Sequence, residues 1–392
     1  MPDFKRIAIV GACAAGITAA ETLREEGFAG QLIVIGDELH PGYDRPPLSK
    51  KLLQGEVEFK DIELRAPADL TGMGIEVRRG VRALRLELAS QLIFLSDGGQ
   101  LAYDGLIIAT GLKPRQLPVP AGVTGVHTLR TLDDALALRG ELKQAARVLV
   151  VGAGFLGCEI AATARQLGSK VLLLDTLALP LLRQLGRELG LAVRELQALH
   201  GVEFRGETGV HRFTDEDGKV TGAVLSNGDS VLADVVVVAI GSTPATEWLQ
   251  GSGLNIENGV ICDRFCRAAH NVYAAGDVAN WFHPGYQEQI RLEQRMNATE
   301  QGMAAAQNLL GAARPFAPTP YFWTDLYDVK IQGYGRIEAD AELKTLSGEF
   351  GQPGFTCAYV QKGKVGAVVG WNAPRELRRA RQWLDQPVGV LA

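Results

Sequence analysis

The sequence has little with which to cross-link the chain or to build a structural metal site. Among its 392 residues are only five cysteines, with no Cys-x-x-Cys pair, and six histidines without ligand-like clustering. Zinc sites, iron–sulfur clusters bound by this chain and a disulfide framework are therefore not expected. The scattered cysteines favour a reducing compartment.

An excess of positive charge and long apolar runs are also lacking. The formal net charge is −5, from 45 acidic and 40 basic residues, and no polybasic arm is present. A general nucleic-acid binder needs such a basic surface, so this class is not expected. No apolar run reaches about 18 residues, and the start of the chain leaves no room for a signal peptide before the strand pattern at residues 7–10. We expect a cytoplasmic protein with no membrane contact.

Glycine is abundant, with 46 residues, and it marks a pattern that occurs twice. Residues 7–10 form an apolar run that precedes a glycine turn, a helix pattern to residue 26 and a second apolar run at 32–35. The same order begins again at residues 148–151 and ends at 171–174. Each segment is a strand, turn, helix and strand of the kind that builds parallel sheets. The sequence therefore predicts two dinucleotide-binding domains.

Two further apolar runs end in turn residues where a sheet of a dinucleotide-binding domain would meet its cofactor. One precedes Thr110 and Gly111, and the other, at residues 235–240, precedes Gly241. Proline-rich stretches at 114–120 and 313–320 indicate crossovers between domains.

The last part of the chain has a different pattern, with short strands and then a basic helix over residues 374–384. The predicted strands lie near residues 330–336, 343–346, 356–361 and 365–371. The predicted fold is α/β, with two Rossmann-like dinucleotide-binding domains plus a C-terminal α+β domain. Its predicted boundaries are 1–112 with 233–315 for the first dinucleotide-binding domain, 113–232 for the second, and 316–392 for a C-terminal interface domain.

The second glycine turn has the full Gly-x-Gly-x-x-Gly spacing, at Gly152, Gly154 and Gly157. Such a turn lets backbone N–H groups and a helix N-terminus face a pyrophosphate. Asp175 follows 23 residues after Gly152, where a carboxylate accepts hydrogen bonds from a ribose 2′-OH and repels a 2′-phosphate. Residues 176–178 supply no arginine for such a phosphate, so we predict NADH rather than NADPH. An ordinary glycine-rich turn remains the alternative for this motif alone.

The first turn is weaker, because Cys13 replaces the middle glycine. Support comes from a strand pattern that ends at Gly276 and Asp277, ahead of a predicted helix. Asp277 would bind ribityl hydroxyls, and that helix N-terminus would face the flavin pyrimidine. A simple Gly-Asp turn is the alternative, but the four features in this order are far more specific than any one of them.

These features together show a resemblance that covers the chain from about Arg6 to the last helix. The chain resembles the two-dinucleotide FAD/NAD(P)H reductases, and within them the ferredoxin reductases of bacterial oxygenases. The narrower resemblance rests on residues 43–50, 152–159, 291–302 and 322–328. One position departs from it, since Arg295 stands where this family often has tryptophan.

The resemblance implies site residues for both cofactors. For FAD they are Gly11, Ala14, Ala15, Gly16, Asp37, Arg45, Lys50, Val81, Thr110, Gly111, Arg130, Gly276, Asp277, Glu293 and Trp323. For NADH they are Gly152, Gly154, Phe155, Leu156, Gly157, Glu159, Asp175 and Gly241.

Three of these residues are implied to be catalytic. Lys50 would stabilise the negative charge of reduced flavin, Glu159 would contact the nicotinamide amide, and Trp323 would lie beside the two rings. The residues themselves leave other interpretations open: a solvated basic loop, a buried helix charge paired with a lysine, and a core aromatic side chain.

The implied activity is electron transfer from NADH through FAD to a two-iron ferredoxin that supplies an oxygenase. No cysteine lies between Cys13 and Cys158, and Ser49 stands where a redox thiol would be expected. Disulfide and peroxide reductases of this fold are therefore not expected. A rubredoxin reductase, or an FAD/NADH-sensing interaction protein resembling apoptosis-inducing factor, remains an alternative.

The implied partner is a small acidic ferredoxin, which requires a basic surface on a reductase that is acidic overall. The richest candidate has four arginines against one glutamate, and a solvated helix face is its alternative. We expect a monomer or homodimer that docks ferredoxin near Arg375, Arg378, Arg379 and Arg381.

Overall fold

A computed structural model describes residues 3–391 of the chain. The chain divides into two compact units, each made of three segments. The first unit comprises Met1–Asp44, Phe59–Lys113 and Ser242–Pro318. The second comprises Arg45–Glu58, Pro114–Gly241 and Thr319–Ala392.

The first unit is built on a six-stranded sheet whose central strand is Arg6–Val10. This strand pairs in parallel with Gln31–Ile35 on one side and with Gly105–Ile108 on the other. Its apolar side chains are buried on both faces, as strands of a parallel sheet require. Across the sheet the strands are Arg267–Ala269, Val272–Ala274, Gly105–Ile108, Arg6–Val10, Gln31–Ile35 and Ile75–Arg78.

Two helices of this unit, Ala14–Glu25 and Arg295–Leu309, pack against each other. Their approach requires glycine at Gly302, because a Cβ there would lie 2.4 Å from the backbone oxygen of Ala15. The other elements are short: helix Pro67–Gly72, 3-10 turns Phe59–Asp61, Glu247–Leu249 and Gly276–Val278, and strands Ala83–Glu87, Leu92–Leu95, Gln100–Ala102, Leu112–Pro114, Ser242–Pro244, Val260–Cys262, Ala279–His283 and Glu288–Ile290.

The second unit contains a five-stranded parallel sheet that includes Arg147–Val151 and Lys170–Leu174. Strand Val235–Val238 also belongs here, since it pairs in parallel with Arg147–Val151. The sequence pattern instead indicates that residues 235–240 join the flavin sheet. A short run of buried valines fits the middle of any parallel sheet, so the pattern could not distinguish the two.

This α/β part also contains helices, the two outer strands of that sheet and a separate three-stranded sheet. Thr131 caps the helix Leu132–Leu142 through a reciprocal pair of bonds with Asp134. The other helices are Phe155–Gln166 and Leu182–Leu199, with the short segments Pro46–Ser49 and Lys51–Gln54. The other strands are Val126–His127, Val202–Arg205, Val210–Glu216, Lys219–Leu225 and Ser230–Leu232.

The last part of the second unit is an antiparallel five-stranded sheet, which confirms the predicted α+β character. Its strands, in order across the sheet, are Tyr321–Leu326, Val329–Gly335, Lys364–Trp371, Phe355–Gln361 and Glu342–Ser347. The predicted basic helix is shorter than expected: Pro374–Ala380 is α-helical, and Arg381–Trp383 and Val388–Leu391 are 3-10 turns.

The structure groups the chain differently from the three predicted domains. Residues 45–58 and the antiparallel sheet both share a unit with the parallel sheet of Arg147–Val151. The three-domain division stays a prediction. Within residues 3–391, no helix combines the length and the apolar character that crossing a membrane demands.

Candidate functional site

The first glycine turn joins strand Arg6–Val10 to helix Ala14–Glu25. Gly11 has φ +121°, and a Cβ there would lie 2.1 Å from the backbone oxygen of Ala109. A Cβ at Gly16 would lie 1.9 Å from the oxygen of Gly11, so neither position accepts a side chain. No side chain within residues 3–391 caps this helix, which leaves its first N–H groups for a ligand. The turn fits a pyrophosphate on backbone evidence alone.

Cys13, the departure from the glycine pattern, is the N-cap residue of this helix. Its thiol is half-buried and lies 3.1 Å from the backbone oxygen of Ala109, within hydrogen-bond distance. The carbonyl that excludes a side chain at Gly11 thus accepts a bond from Cys13. The cysteine therefore joins the turn to the end of the neighbouring strand.

Three more predicted FAD residues lie at the ends of strands in the first unit. Asp37 follows strand Gln31–Ile35 and lies 3.6 Å from Arg82 in an exposed ion pair. The hydroxyl of Thr110 donates to the backbone oxygen of Ala245 at 2.8 Å. The backbone oxygen of Gly111 accepts the N–H of Ala245 at 2.9 Å. Val81, a fourth, donates its N–H to Gly36.

The Gly276–Asp277 turn follows strand Val272–Ala274 as predicted, but the helix expected after it is wrong. Only one 3-10 turn, Gly276–Val278, is present, and strand Ala279–His283 comes next because its apolar residues pair with Val260–Cys262. The next helix in the chain begins at Arg295. No helix N-terminus at residues 277–279 is therefore available to face a flavin.

Gln301 holds this turn, a role that the sequence reasoning missed. It is fully buried, and its Oε1 accepts the N–H of Gly276 at 2.9 Å. Its Nε2 lies 3.7 Å from Cys266. The sequence feature that could have indicated this role is a polar residue next to Gly302, in the stretch that carries the family resemblance. The turn also accepts a bond at the oxygen of Asp277 from Arg291, which pairs with Glu293 at 2.8 Å.

The second glycine turn, in the second unit, repeats the geometry of the first. Gly152 has φ +103°, and a Cβ there would lie 2.3 Å from the oxygen of Ala239. A Cβ at Gly157 would lie 1.8 Å from the oxygen of Gly152. Gly154 is the N-cap of helix Phe155–Gln166, and the described side chains supply no cap. This turn also fits a pyrophosphate.

The other predicted NADH residues surround this turn in the chain. Phe155 and Leu156 are the first helical residues, and Leu156 is 36% exposed. Gly241, with φ +93°, comes shortly after strand Val235–Val238.

Asp175 follows strand Lys170–Leu174 and contacts the second glycine turn directly. Its Oδ2 accepts the N–H of Ala153 at 2.6 Å, and its Oδ1 accepts the N–H of Leu177 at 2.8 Å. Each carboxylate oxygen has a second lone pair and so can accept a ribose hydroxyl as well. The residue therefore shapes the turn and presents a carboxylate beside it.

Glu159, in helix Phe155–Gln166, is the most enclosed of the predicted site residues with a charge. It is 7% exposed, and its Oε2 lies 2.8 Å from Nζ of Lys50. Ser49 donates to the same oxygen at 2.6 Å, and Thr324 donates to Oε1 at 2.7 Å. A buried carboxylate needs such partners to offset its desolvation. The structure thus brings together Lys50 and Glu159, in agreement with the interpretation of a helix charge paired with a lysine.

Trp323 lies in strand Tyr321–Leu326, one residue before Thr324. Side chains alternate along a strand, so Trp323 lies on the face of the sheet opposite to Thr324 and Glu159. Its ring is 5.9 Å from that of Tyr321, measured between centroids.

Two arginines of the predicted loops and motifs have defined partners. Arg45 donates to the backbone oxygen of Arg130. Arg295, the departure from the family pattern, is paired with Asp44 and also donates to the hydroxyl of Thr299. The position that often holds tryptophan in the family therefore forms an ion pair here.

Four of the five cysteines are buried thiols of low reactivity. All five are free, and burial raises the pKa of Cys158 and Cys262 strongly and that of Cys266 and Cys357 to about 12. Thiols held protonated in this way are poor nucleophiles. The part of the chain that the structure describes also has no cluster of three or more His, Cys, Asp or Glu side chains suited to a metal ion.

The predicted docking arginines are exposed. Arg375, Arg378 and Arg379 lie on helix Pro374–Ala380, and Arg381 lies in the 3-10 turn after it. The guanidinium of Arg381 is over the ring of Tyr334, 4.9 Å from its centroid.

Comparison with known proteins places these features in context. Residues 5–302 match the family model described as pyridine nucleotide-disulphide oxidoreductase, and residues 321–391 match the model described as reductase C-terminal. The benzene 1,2-dioxygenase system ferredoxin–NAD(+) reductase subunit of Pseudomonas putida is 36% identical over 386 residues, which covers 97% of this chain and 93% of that protein.

Two further matches extend over nearly the whole chain. Rhodocoxin reductase of Rhodococcus erythropolis is 34% identical, with 96% of this chain and 89% of that protein covered. Among solved structures, the covalent putidaredoxin reductase–putidaredoxin complex matches with a TM-score of 0.94 and 31% identity, and covers 99% of this chain and 95% of that chain.

Proposed function

The chain belongs to the pyridine nucleotide-disulphide oxidoreductase family, and from that premise we propose that it is a ferredoxin–NAD(+) reductase. It passes electrons from NADH through FAD to a two-iron ferredoxin, and that ferredoxin supplies an oxygenase. The relatives that support this activity are named as reductases of dioxygenase, rhodocoxin and putidaredoxin systems.

The observation that carries the proposal is the pair of glycine turns, one in each unit, combined with the absence of a reactive dithiol among the described residues. Each turn leaves helix N–H groups uncapped by the described side chains, and in each a Cβ at the first glycine would lie within about 2.5 Å of a backbone oxygen. The position of the missing thiol holds Ser49, whose hydroxyl donates to Glu159. The protein therefore relies on its two cofactors for redox chemistry.

When bound, FAD would supply the redox chemistry that matches a two-electron donor, NADH, to a one-electron iron–sulfur acceptor. The protein's own residues bind and orient. The turn at Gly11 and the carboxylate of Asp277 would hold FAD, and the turn at Gly152 with Asp175 would hold NADH. Asp175 selects NADH because its charge repels the 2′-phosphate of NADPH.

The role we assign to the Lys50–Glu159 pair is to orient the cofactor rings, not to donate or accept protons. Lys50 supplies positive charge that favours reduced flavin, and Glu159 positions both Lys50 and the nicotinamide amide. Trp323, which lies on the other face of its strand, would provide an aromatic surface for the flavin ring. Hydride transfer requires no protein base, so no His–Asp couple is needed.

The partner is a small acidic ferredoxin that docks at the exposed arginines Arg375, Arg378, Arg379 and Arg381. Only Glu376 opposes these four charges in the segment from Pro374 to Arg381. Electrostatic attraction of this kind accelerates encounter between the two proteins. We assign the reductase to the cytoplasm, where its five free cysteines stay reduced.

The test is steady-state oxidation of NADH by the purified holoprotein with a panel of acceptors. The panel contains putidaredoxin, two-iron ferredoxins of aromatic-ring dioxygenases, and rubredoxins, each coupled to cytochrome c reduction. We expect yellow protein with one non-covalent FAD per chain, and cytochrome c reduction that depends on a two-iron ferredoxin. Colourless protein that takes up no FAD on reconstitution, or turnover with rubredoxin alone, would contradict the proposal.

A further inference from the structure

A row of aromatic side chains in the second unit leads to one of the four docking arginines. The rings of Trp323 and Tyr321 are 5.9 Å apart, and those of Tyr321 and Tyr334 are 4.8 Å apart, measured between centroids. The guanidinium carbon of Arg381 is 4.9 Å from the centroid of Tyr334. The four side chains thus form one continuous set of contacts.

The strand register puts this row on a single face of the antiparallel sheet. Tyr321 is directly opposite Tyr334 in the register. Phe322 and Thr324 alternate with the row and face the other way, where Phe322 lies 5.7 Å from Phe155 and Thr324 donates to Glu159. The aromatic row therefore lies on the face turned away from helix Phe155–Gln166.

The side chain of Tyr334 is held in place by the packing around it, so the guanidinium of Arg381 rests on a fixed ring. The Tyr334 side chain packs against the core formed by Ala358, Val368 and Leu377, beneath helix Pro374–Ala380. A guanidinium over an aromatic ring gains a cation–π attraction and loses part of its rotamer freedom before any partner binds. The other three arginines have no such ring contact within residues 3–391.

Pre-organisation changes what a charged side chain contributes to binding. A mobile arginine loses side-chain entropy when it is fixed by a partner, whereas an arginine already fixed avoids most of that cost. Interface residues with the largest contributions are enriched in arginine, tyrosine and tryptophan. Arg381 and Tyr334 combine these properties at the end of a row that also holds Trp323.

We propose that Arg381, held on Tyr334, is the anchor of the ferredoxin interface, and that it receives a carboxylate of the acidic iron–sulfur protein in a bidentate pair. The occupant follows from charge: four exposed arginines with one glutamate lie in a chain whose net charge is −5. Arg375, Arg378 and Arg379 then attract the partner at a distance without fixing its orientation. This inference rests on the proposed function.

The test compares substitutions that keep the charge. Arg381→Lys retains the positive charge but loses the planar, stacked guanidinium, whereas Arg379→Lys makes the same chemical change at an arginine without a ring partner in the described structure. The probe is the two-iron ferredoxin that gives the highest turnover with the wild type. Each ferredoxin rate is divided by the ferricyanide rate of the same variant, so that effects on NADH and FAD are removed.

We expect Arg381→Lys to raise the KM for ferredoxin on the order of three- to tenfold, and Arg379→Lys to change it by less than about twofold. Tyr334→Leu should raise the KM similarly, and combining it with Arg381→Lys should add little, because the two residues act as one unit. Tyr334→Phe, which keeps the ring, should behave as the wild type.

Two outcomes separate this inference from the proposed function. If no two-iron ferredoxin is reduced by the wild type, the proposed function fails. If ferredoxin is reduced but Arg381→Lys has the same KM as Arg379→Lys, docking depends on charge alone and the anchor is refuted. If Tyr334→Leu folds poorly, the comparison of Arg381→Lys with Arg379→Lys still tests whether Arg381 is the anchor.

Discussion

The cluster around Glu159 gives the most demanding test of the site. In a double-mutant cycle, Glu159→Gln removes the charge that faces Lys50 but keeps an amide oxygen for a hydroxyl donor. Lys50→Met removes the cation and leaves a carboxylate that is 7% exposed with two hydroxyl donors, Ser49 and Thr324. The double variant removes both charges and keeps similar volumes.

The structure sets the expected magnitude. Removal of one partner from a buried pair costs about 3–5 kcal/mol of unfolding free energy. The Lys50 side chain is 17% exposed and can reach water, so we expect the lower end, about 3 kcal/mol, for each single variant. The double variant should lose only about 2–4 kcal/mol, which leaves a coupling of roughly 2 kcal/mol or more.

The assay for the coupling is urea unfolding of the FAD-loaded protein, monitored by far-UV circular dichroism. A cycle that is additive within about 0.5 kcal/mol would refute the pairing itself.

The catalytic role needs its own readout. Glu159→Ala and Glu159→Gln should slow flavin reduction by NADH about tenfold or more in single-turnover stopped flow, the change produced by about 1.4 kcal/mol of lost orientation. The FAD content should stay intact. A normal reduction rate alongside the expected coupling would show that Glu159 is structural only.

Other parts of the molecule give three further predictions. Asp175→Ala with an arginine added nearby should raise kcat/KM for NADPH relative to NADH, and a wild type that already prefers NADPH would contradict the assignment of Asp175. Charge reversal at Arg378 and Arg379 should raise the KM for ferredoxin and flatten its salt dependence, which steady-state kinetics at several ionic strengths would measure; unaffected kinetics would place docking elsewhere. In apoprotein at about pH 8, Cys13 should be the one thiol that reacts readily with Ellman's reagent, because burial raises the pKa of the other four; reaction of two or more thiols in the folded protein would contradict this.

The two glycine turns show how far local sequence reasoning extends. Gly11, Gly16, Gly152 and Gly157 each lie where a Cβ would meet a backbone oxygen at about 2 Å, so their spacing in the sequence carries most of the geometry. The flanking strands and helices agree with the predicted limits within one or two residues. Cys13 is tolerated because its position is an N-cap with extended backbone, which any residue can adopt.

The element after a motif was harder to predict than the motif itself. Gly276–Asp277 was expected to open a helix, as the other two turns do, but residues 279–283 form a strand. The apolar residues there satisfy either structure over so short a run. Residues 279–283 form a strand because they pair with Val260–Cys262, a contact that the local sequence does not show.

Features that depend only on neighbouring residues could be predicted from the chain alone: the two strand–turn–helix–strand units, the absence of a thiol between Cys13 and Cys158, and the basic character of residues 374–381. Contacts between distant segments required the folded protein. Lys50 and Thr324 lie more than a hundred residues from Glu159 in the chain, yet both contact its carboxylate. Strand Val235–Val238 joined the second sheet, and Arg381 rather than its three neighbours came to lie on Tyr334. A residue pattern encodes periodicity and backbone tolerance, whereas the choice among distant partners depends on how the whole chain packs, as where the buried carboxylate of Glu159 finds its counterpart in Lys50.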